Sequence, residues 1–455
     1  MRPIVSLALF LLAAAAAGRA ESAFTLRAGA AHEDITPETT VRNWVTGKPY
    51  EVVVDPISVH ALVLDDGRTK MVLVRWDLTD VSESARDEVR KAVGGALRIP
   101  GENIMINASH NHSAPWAPVY SGGYRGKERD TWWALRFMPA QNDYPPFQRW
   151  MARLLAATTK AAQDAAAAAR PVTVSIGRIT ANEFVHNRRP RAPGWGLADP
   201  KSRPAIDKDK PERNFEVAVA GASFGALDRT LALITFRDIA GDKVVASLFQ
   251  LTGHAVSIYP SNPGLSGDWP APTANKIAAA LGGEALFLQG CAGDINPWRR
   301  GAAAVAEMAE GIALKAQVAA RYSAKLVAGP LHSGRTTLDL PLTPEAKKRL
   351  EADTVAAEVQ VIACGPLAFV ALPGETMTEL GMAIRASSPF PQTLVMGYSN
   401  GNGVHYVGLP GEKARGGYEA GVAGAGTDEC GTLLVEAAVK TLREVFARSG
   451  SGGPL

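Results

Sequence analysis

The strongest constraint on the fold of this chain is the alternation of short β-branched runs with longer alanine-rich amphipathic runs along nearly its whole length. Apolar runs at residues 59–64, 71–76, 103–107, 172–176, 230–236, 244–251, 285–289, 359–362 and 367–371 read as strands. Helical spacing covers residues 82–97, 147–169, 270–281, 302–321, 344–352, 376–386 and 431–448. Ser82 is placed to cap a first turn containing Glu83, and Pro171 closes off the second helical run. Such alternation predicts an α/β domain, or an α+β one, built as a large layered mixed sheet with flanking helices. A helix bundle and an all-β sandwich are both disfavoured. No internal repeat or heptad run interrupts the pattern. Residues 188–214, rich in Pro, Arg, Lys and Asp with no apolar period, read as a long loop, either a lid or a mobile excursion.

The N-terminus has to be set aside before the fold is considered. Arg2, the apolar run at residues 4–17 and the small residues Gly18 and Ala20 form a secretory signal peptide with cleavage expected after Ala20. The run falls short of the ~20 residues a membrane span needs, so an anchor is the weaker alternative. The expected layout is a signal peptide at 1–20, a catalytic domain at 21–448 and a flexible tail at 449–455, in a secreted or periplasmic protein with no transmembrane span. A hydrophobic share of 46% and a net charge of only +3 exclude a disordered chain and argue against nucleic-acid binding. The cysteines Cys291, Cys364 and Cys430 are too few for a disulfide scaffold or a cysteine-caged metal, and they allow at most one bridge.

Chemistry has to come from a small set of polar residues. His110 and His112 end one expected strand, and residues two apart in extended backbone share a face, so both imidazoles can address one site. Hydrogen-bonded loop histidines would satisfy the same pattern. His254 closes another strand ahead of a turn-rich segment carrying Asp268. Gly290, Gly293 and Asp294 follow a third strand, leading to Asn296, and a tight turn without a ligand explains them equally well. Glu375 opens a helix, where the macrodipole alone favours a carboxylate. A glycine-rich stretch holds Tyr398, His405 and Tyr406 and continues to Gly416-Gly417-Tyr418-Glu419.

Taken in order, these segments resemble the catalytic domain of the neutral (alkaline, non-lysosomal) ceramidases, which are zinc-dependent amidases. The likeness begins at Ala28-Gly-Ala-Ala-His-Glu-Asp34-Ile-Thr-Pro37, passes through His60-Ala-Leu-Val-Leu-Asp-Asp-Gly67 and Arg75-Trp-Asp77, and reaches Tyr418. It implies one Zn²⁺ per chain held by His110, His254, Glu375 and Tyr406; the family's spacing of twelve residues between two site tyrosines selects Tyr406 over Tyr398. Two imidazoles, a carboxylate and a phenolate form a donor set that suits zinc. The same resemblance implies hydrolysis of an amide, such as that of ceramide or another N-acyl lipid, by a zinc-activated water. His112 is then the expected proton shuttle, Tyr418 or His112 the oxyanion donor, and Asn187-Arg188 the substrate anchor. Asp294 is expected to orient a ligand histidine, with Asp268 and Asp77 as rivals.

Two departures from the family bear on the substrate. Asn296 stands where the ceramidases carry a serine, and asparagine cannot form an acyl-enzyme. The stretch after Tyr418 is also too short for the family's C-terminal immunoglobulin-like domain, which needs ~100 residues. The expected partner is therefore a small amide or a lipid, with peripheral contact to membrane lipid. The alternatives are a related secreted zinc hydrolase of a non-lipid amide, ester or lactone, and a catalytically inactive extracellular binding module.

Overall fold

The computed structural model describes residues 25–44, 47–120, 144–189, 225–258 and 264–449. The expected signal peptide, most of the expected loop at 188–214 and nearly all of the expected tail lie outside them. Strands β1 (Arg27–Asp34), β2 (Ser58–Asp65), β3 (Lys70–Trp76), β4 (Ile104–Ala108), β5 (Arg170–Thr180) and β6 (Val185–Asn187) come first. They are followed by β7 (Thr230–Asp238), β8 (Val244–Gln250), β9 (Glu284–Phe287), β10 (Ile295–Pro297) and β11 (Ala324–Leu326). The last third adds β12 (Leu331–Pro341), β13 (Thr354–Cys364), β14 (Leu367–Ala371), β15 (Glu375–Thr376), β16 (Gln392–Met396) and β17 (Tyr406–Val407). The helices are α1 (Glu83–Leu97), α2 (Pro145–Ala167), α3 (Pro270–Leu281), α4 (Ala302–Arg321), α5 (Pro344–Leu350), α6 (Thr378–Ser387), α7 (Glu412–Arg415) and α8 (Cys430–Arg448). Every strand and helix expected from the sequence is present, and the fold is the expected mixed α/β layering.

Nine strands form the larger sheet, in the order β4-β3-β2-β1-β5-β7-β8-β9 with β11 added on β5, and four form a second sheet, β12-β13-β14-β16. Side-chain alternation shows how the two sheets stack. Along β2 and β3, Val59, Ala61, Val63, Val72 and Val74 face the layer of helices, α2 above all, while Leu62, Leu64, Met71 and Leu73 face the other way. Those second residues meet Ile362, Phe369, Leu394 and Met396 of the smaller sheet in one apolar layer. The outer face of the smaller sheet, Val359, Val361, Ala368 and Val370, is covered by α6 and α8 through Leu380, Ile384, Leu434 and Leu442. The result is a helix–sheet–sheet–helix sandwich.

Local chemistry explains how these elements begin and approach one another. The Ser82 hydroxyl accepts the Ala85 amide proton at 3.0 Å, so α1 starts where the sequence places it. Gly29 sits in β1 directly under α2, where a methyl group would overlap the Ala165 carbonyl, and only glycine lets helix and sheet come so close. At the edge, Arg90 of α1 forms a bidentate pair with Glu358 of β13, at 2.9 and 2.7 Å, which ties the helix to the smaller sheet. Cys291, Cys364 and Cys430 are buried and unbridged. Among the described residues no helix is long and apolar enough to cross a membrane.

Three parallel strand pairs set up the site: β3 with β4, β8 with β9, and β14 with β16. Their carboxyl ends converge, the usual place for a ligand in a sheet with parallel strands.

Candidate metal centre

The first imidazole comes from β4, whose backbone turns sharply at its end. His110 adopts a left-handed conformation with φ 58°, and its Nδ1 donates to the Thr79 carbonyl at 2.8 Å. A carbonyl can only accept, so in the neutral ring the Nε2 lone pair is free to point into the site. His254, after β8, is fixed in the same way: its Nδ1 lies 2.6 Å from the Ala292 carbonyl and 3.0 Å from that of Ile295. Both Nε2 atoms then meet one carboxylate oxygen, Glu375 Oε2, at 3.1 and 3.2 Å. His112 brings its Nε2 to within 3.0 Å of His110 Nε2.

Glu375 is delivered by the two-residue parallel ladder of β15 with β17, which sets it beside Tyr406. Gly374, at φ 76°, makes the turn just ahead of it, where a side chain would strike the carbonyls of Asn402 and His405. Arg188 arrives from β6, which pairs with β10 so that the Arg188 amide bonds the Asp294 carbonyl at 2.7 Å. Its guanidinium donates to the Tyr406 hydroxyl at 2.9 Å, to Asn296 Oδ1 at 3.2 Å and to the Gly293 carbonyl at 2.8 Å, and pairs with Glu419 at 2.6 Å. The expected residues His110, His112, His254, Glu375, Tyr406, Asn296 and Arg188 are thus drawn from six distant segments into one buried cluster. Tyr418 stands at its rim, 46% exposed, with its ring 5.7 Å from that of Tyr406.

The remaining expectations change in detail. Neither Asp294 nor Asp268 touches the ring of His110 or His254. Asp294 accepts from Asn187 Nδ2 at 2.7 Å and from the Thr378 amide at 2.8 Å, and burial pushes its carboxyl up to about 7. Asp268 accepts the amides of Ser257, Ile258 and Trp269 and organises that loop. Asp77 pairs with Arg75. Backbone carbonyls orient the imidazoles instead, because the left-handed turn at His110 and the turn at 292–295 bring carbonyl oxygens closer than any carboxylate. Asn187 is saturated by Asp294, the Ala226 carbonyl and the Arg189 amide, so it shapes the segment that carries Arg188.

Two neighbours lack a role in the sequence reading. Tyr398 stacks on His110 at 4.1 Å and points its hydroxyl at Glu375 from 3.4 Å. His405 lies with Nε2 3.5 Å from the other oxygen of Glu375. Both sit in the glycine-rich stretch, and each has a positive φ, at 52° and 68°. That density of glycine was the available signal.

The electrostatics fit a cation. With Nδ1 protonated on both rings, two imidazole lone pairs and a carboxylate oxygen confront one another with no proton between them. Burial, followed by Arg188, pushes His254 down to about 3, and burial pushes His112 well below its ordinary value, so protonation offers little relief. Burial pushes the Glu375 carboxyl up, yet the surrounding imidazoles outweigh it and hold it well below the usual range. His110, His112 and His254 form one of two groups among the described residues with the geometry to hold a metal ion.

No family model matches the chain, and no curated protein matches it in sequence. Solved structures do. Neutral ceramidase from Pseudomonas aeruginosa aligns with a TM-score of 0.70 at 18% identity, over 93% of this chain and 75% of that one. A ceramidase complexed with C2 aligns with a TM-score of 0.71 at 15% identity, over 95% and 77%. The neutral-ceramidase likeness carried by the sequence motifs is therefore matched in three dimensions, and the fold of this chain is the neutral ceramidase fold.

Proposed function

We propose that this chain is an exported zinc-dependent amidohydrolase acting on the amide of an N-acyl lipid such as ceramide, with residues 21–448 as one catalytic domain. The observation that carries the reading is the convergence of His110 Nε2 and His254 Nε2 on Glu375 Oε2, at 3.1 and 3.2 Å, inside a neutral ceramidase fold. His110, His254, Glu375 and Tyr406 would hold the ion, which when bound supplies a Lewis acid that polarises a carbonyl and acidifies water toward a pKa of about 7.

The chain's own residues account for the other requirements of amide hydrolysis. His112 lies beside His110, with its Nε2 at the edge of the cluster, and is placed to take a proton and pass it to the departing amine. Tyr418, at the rim, can donate to the carbonyl oxygen as it gains charge. Arg188, already bound to Asn296 and Tyr406, orients both and presents positive charge to the substrate. Trp44 packs edge-on to His112 with ring centroids 5.2 Å apart, and Trp116 packs against Trp44 at 4.9 Å, giving the site an apolar wall. Tyr418 and Val422 are exposed on one π-helical turn, which suits a lipid approaching from a membrane surface. The apolar N-terminal run supports export.

A second reading, hydrolysis of a non-lipid amide, ester or lactone, is favoured by Asn296, whose amide oxygen is engaged by Arg188 where the ceramidases carry a serine. Metal analysis joined to a substrate panel tests both. The lipid reading expects one tightly held zinc, lost in His254→Ala, and turnover of N-acyl lipids that chelation abolishes. Lipid turnover that survives chelation would overturn the mechanism, and turnover of only non-lipid amides or esters would favour the second reading.

A further inference from the structure

On the larger sheet, apart from the cluster around Glu375, a second set of two histidines and one glutamate comes together. His32 of β1 and His60 of β2 are cross-strand partners and so share a face, with ring centroids 5.3 Å apart. Glu284, the first residue of β9, reaches across to them: its Oε2 lies 2.9 Å from His32 Nδ1 and 3.7 Å from His60 Nδ1. All three ligand atoms fall within 4.8 Å of one another.

His60 supplies the independent indication of a ligand. Its side chain is only 10% exposed, and its Nδ1 is buried with no hydrogen-bond partner while aimed at the carboxylate. A buried polar atom left in that state is costly unless something occupies the gap. Ligand atoms around a tetrahedral ion with bonds of ~2.05 Å lie about 3.3 Å apart, and the two distances to Glu284 bracket that spacing. Burial pushes His60 down, so it offers a neutral imidazole, and the hydrogen bond from His32, with His60 beside it, holds Glu284 down to about 2, so it offers an anion. The positive charge of Arg75, opposite His60 on β3, is offset by Asp77 at 2.5 Å. The His32 side chain is 53% exposed, which leaves room for water to complete the coordination.

We infer that His32, His60 and Glu284 form a second metal site, for a borderline divalent ion such as Zn²⁺, Co²⁺ or Ni²⁺, that pins the β1–β2 hairpin to β9. Two imidazole nitrogens and one carboxylate exclude calcium and magnesium as the preferred ions, since those want oxygen throughout. Its role is structural, because none of the three residues touches the cluster around Glu375.

The test is a calorimetric titration of Zn²⁺ into the metal-stripped full chain, repeated with Co²⁺ for its visible spectrum. Two classes of site are expected in the wild type. His32→Ala and Glu284→Gln should weaken the second class by about 10-fold or more, the scale on which even indirect disturbance of a metal site is felt, and leave hydrolysis unchanged. His32 is half exposed, so its variant folds even if a change at His60 does not. In His254→Ala the second class should persist, which separates this site from the first. A titration with a single class of site, or one that His32→Ala and Glu284→Gln both leave unaltered, would overturn the inference.

Discussion

Two clusters in this molecule use the same ligand chemistry in opposite surroundings. Around Glu375, His110 and His254 each have the far nitrogen tied to a backbone carbonyl and the near nitrogen turned inward, and both rings and the carboxylate are buried. Around Glu284, one histidine is half exposed, the other has an unpartnered nitrogen, and among the described residues no carbonyl fixes either ring in the same manner. The contrast shows what preorganisation consists of. The first cluster is assembled by turns at the ends of parallel strands and is held in place with or without an ion, so its geometry can serve a reaction. The second lies on the flat of the sheet and has to close around its ion, so it can serve stability only.

Paired substitutions press hardest on this contrast. Glu375→Gln should lower kcat/KM by about 10⁴-fold, roughly 5.5 kcal/mol of transition-state stabilisation, and release the tightly held zinc on metal analysis. Glu284→Gln should leave kcat/KM within about twofold, under roughly 0.5 kcal/mol. Equal losses in the two variants would erase the distinction.

Within the inner cluster, His112→Ala should cost about 10³-fold in kcat while zinc content is retained, as suits a proton carrier and not a ligand. Loss of zinc in that variant would instead place His112 among the ligands. Tyr418→Phe, at the rim, should cost about 10²-fold in kcat with little change in KM. Steady-state kinetics on an N-acyl lipid reads both.

The smallest effect belongs to the outer cluster in metal-free buffer. The hydrogen bond to Glu284 raises His32 above 6.5, so its stabilisation is full below that pH and fades as the pH climbs through the raised value. Glu284, held down to about 2 from 4.5, contributes above 4.5 and loses that contribution as the pH falls toward 2. The melting temperature of the wild type should therefore exceed that of His32→Ala most between those two ordinary values, about pH 4.5 to 6.5.

The sequence made different parts of this structure legible to different degrees. Strands such as β3 and β14 are buried on both faces and read as continuous apolar runs, and the helices show their periodicity and caps. β1 escaped that reading although it lies inside the sheet. Its residues, Arg-Ala-Gly-Ala-Ala-His-Glu-Asp, carry no β-branched side chain, and α2 packs so closely on it that no side chain fits at Gly29. β12 was missed for the opposite reason: it is an edge strand whose side chains are largely polar and mostly only half-buried. In the site, motif order brought forward His110, His254, Glu375 and Tyr406. What it could not convey is the carbonyl orientation of the imidazoles, or the approach of Tyr398 to His110, since both depend on turns whose dihedral angles no residue pattern specifies. The outer cluster was invisible for a simpler reason, as its members lie 252 residues apart in the chain and meet only through the sheet.

The left-handed backbone at His110 carries a consequence for how such a site persists. A non-glycine residue held there costs on the order of 1 kcal/mol or more, and the Tyr398 stack and the bond from Nδ1 to the Thr79 carbonyl offset that cost only while an imidazole is present. His110→Gly should relieve the strain yet leave a cavity and an unpaired buried carbonyl, a net loss of about 2 kcal/mol or more in the metal-free protein. The imidazole is thus a packing element as well as a donor, and a screen for thermal resistance would keep this histidine with or without zinc.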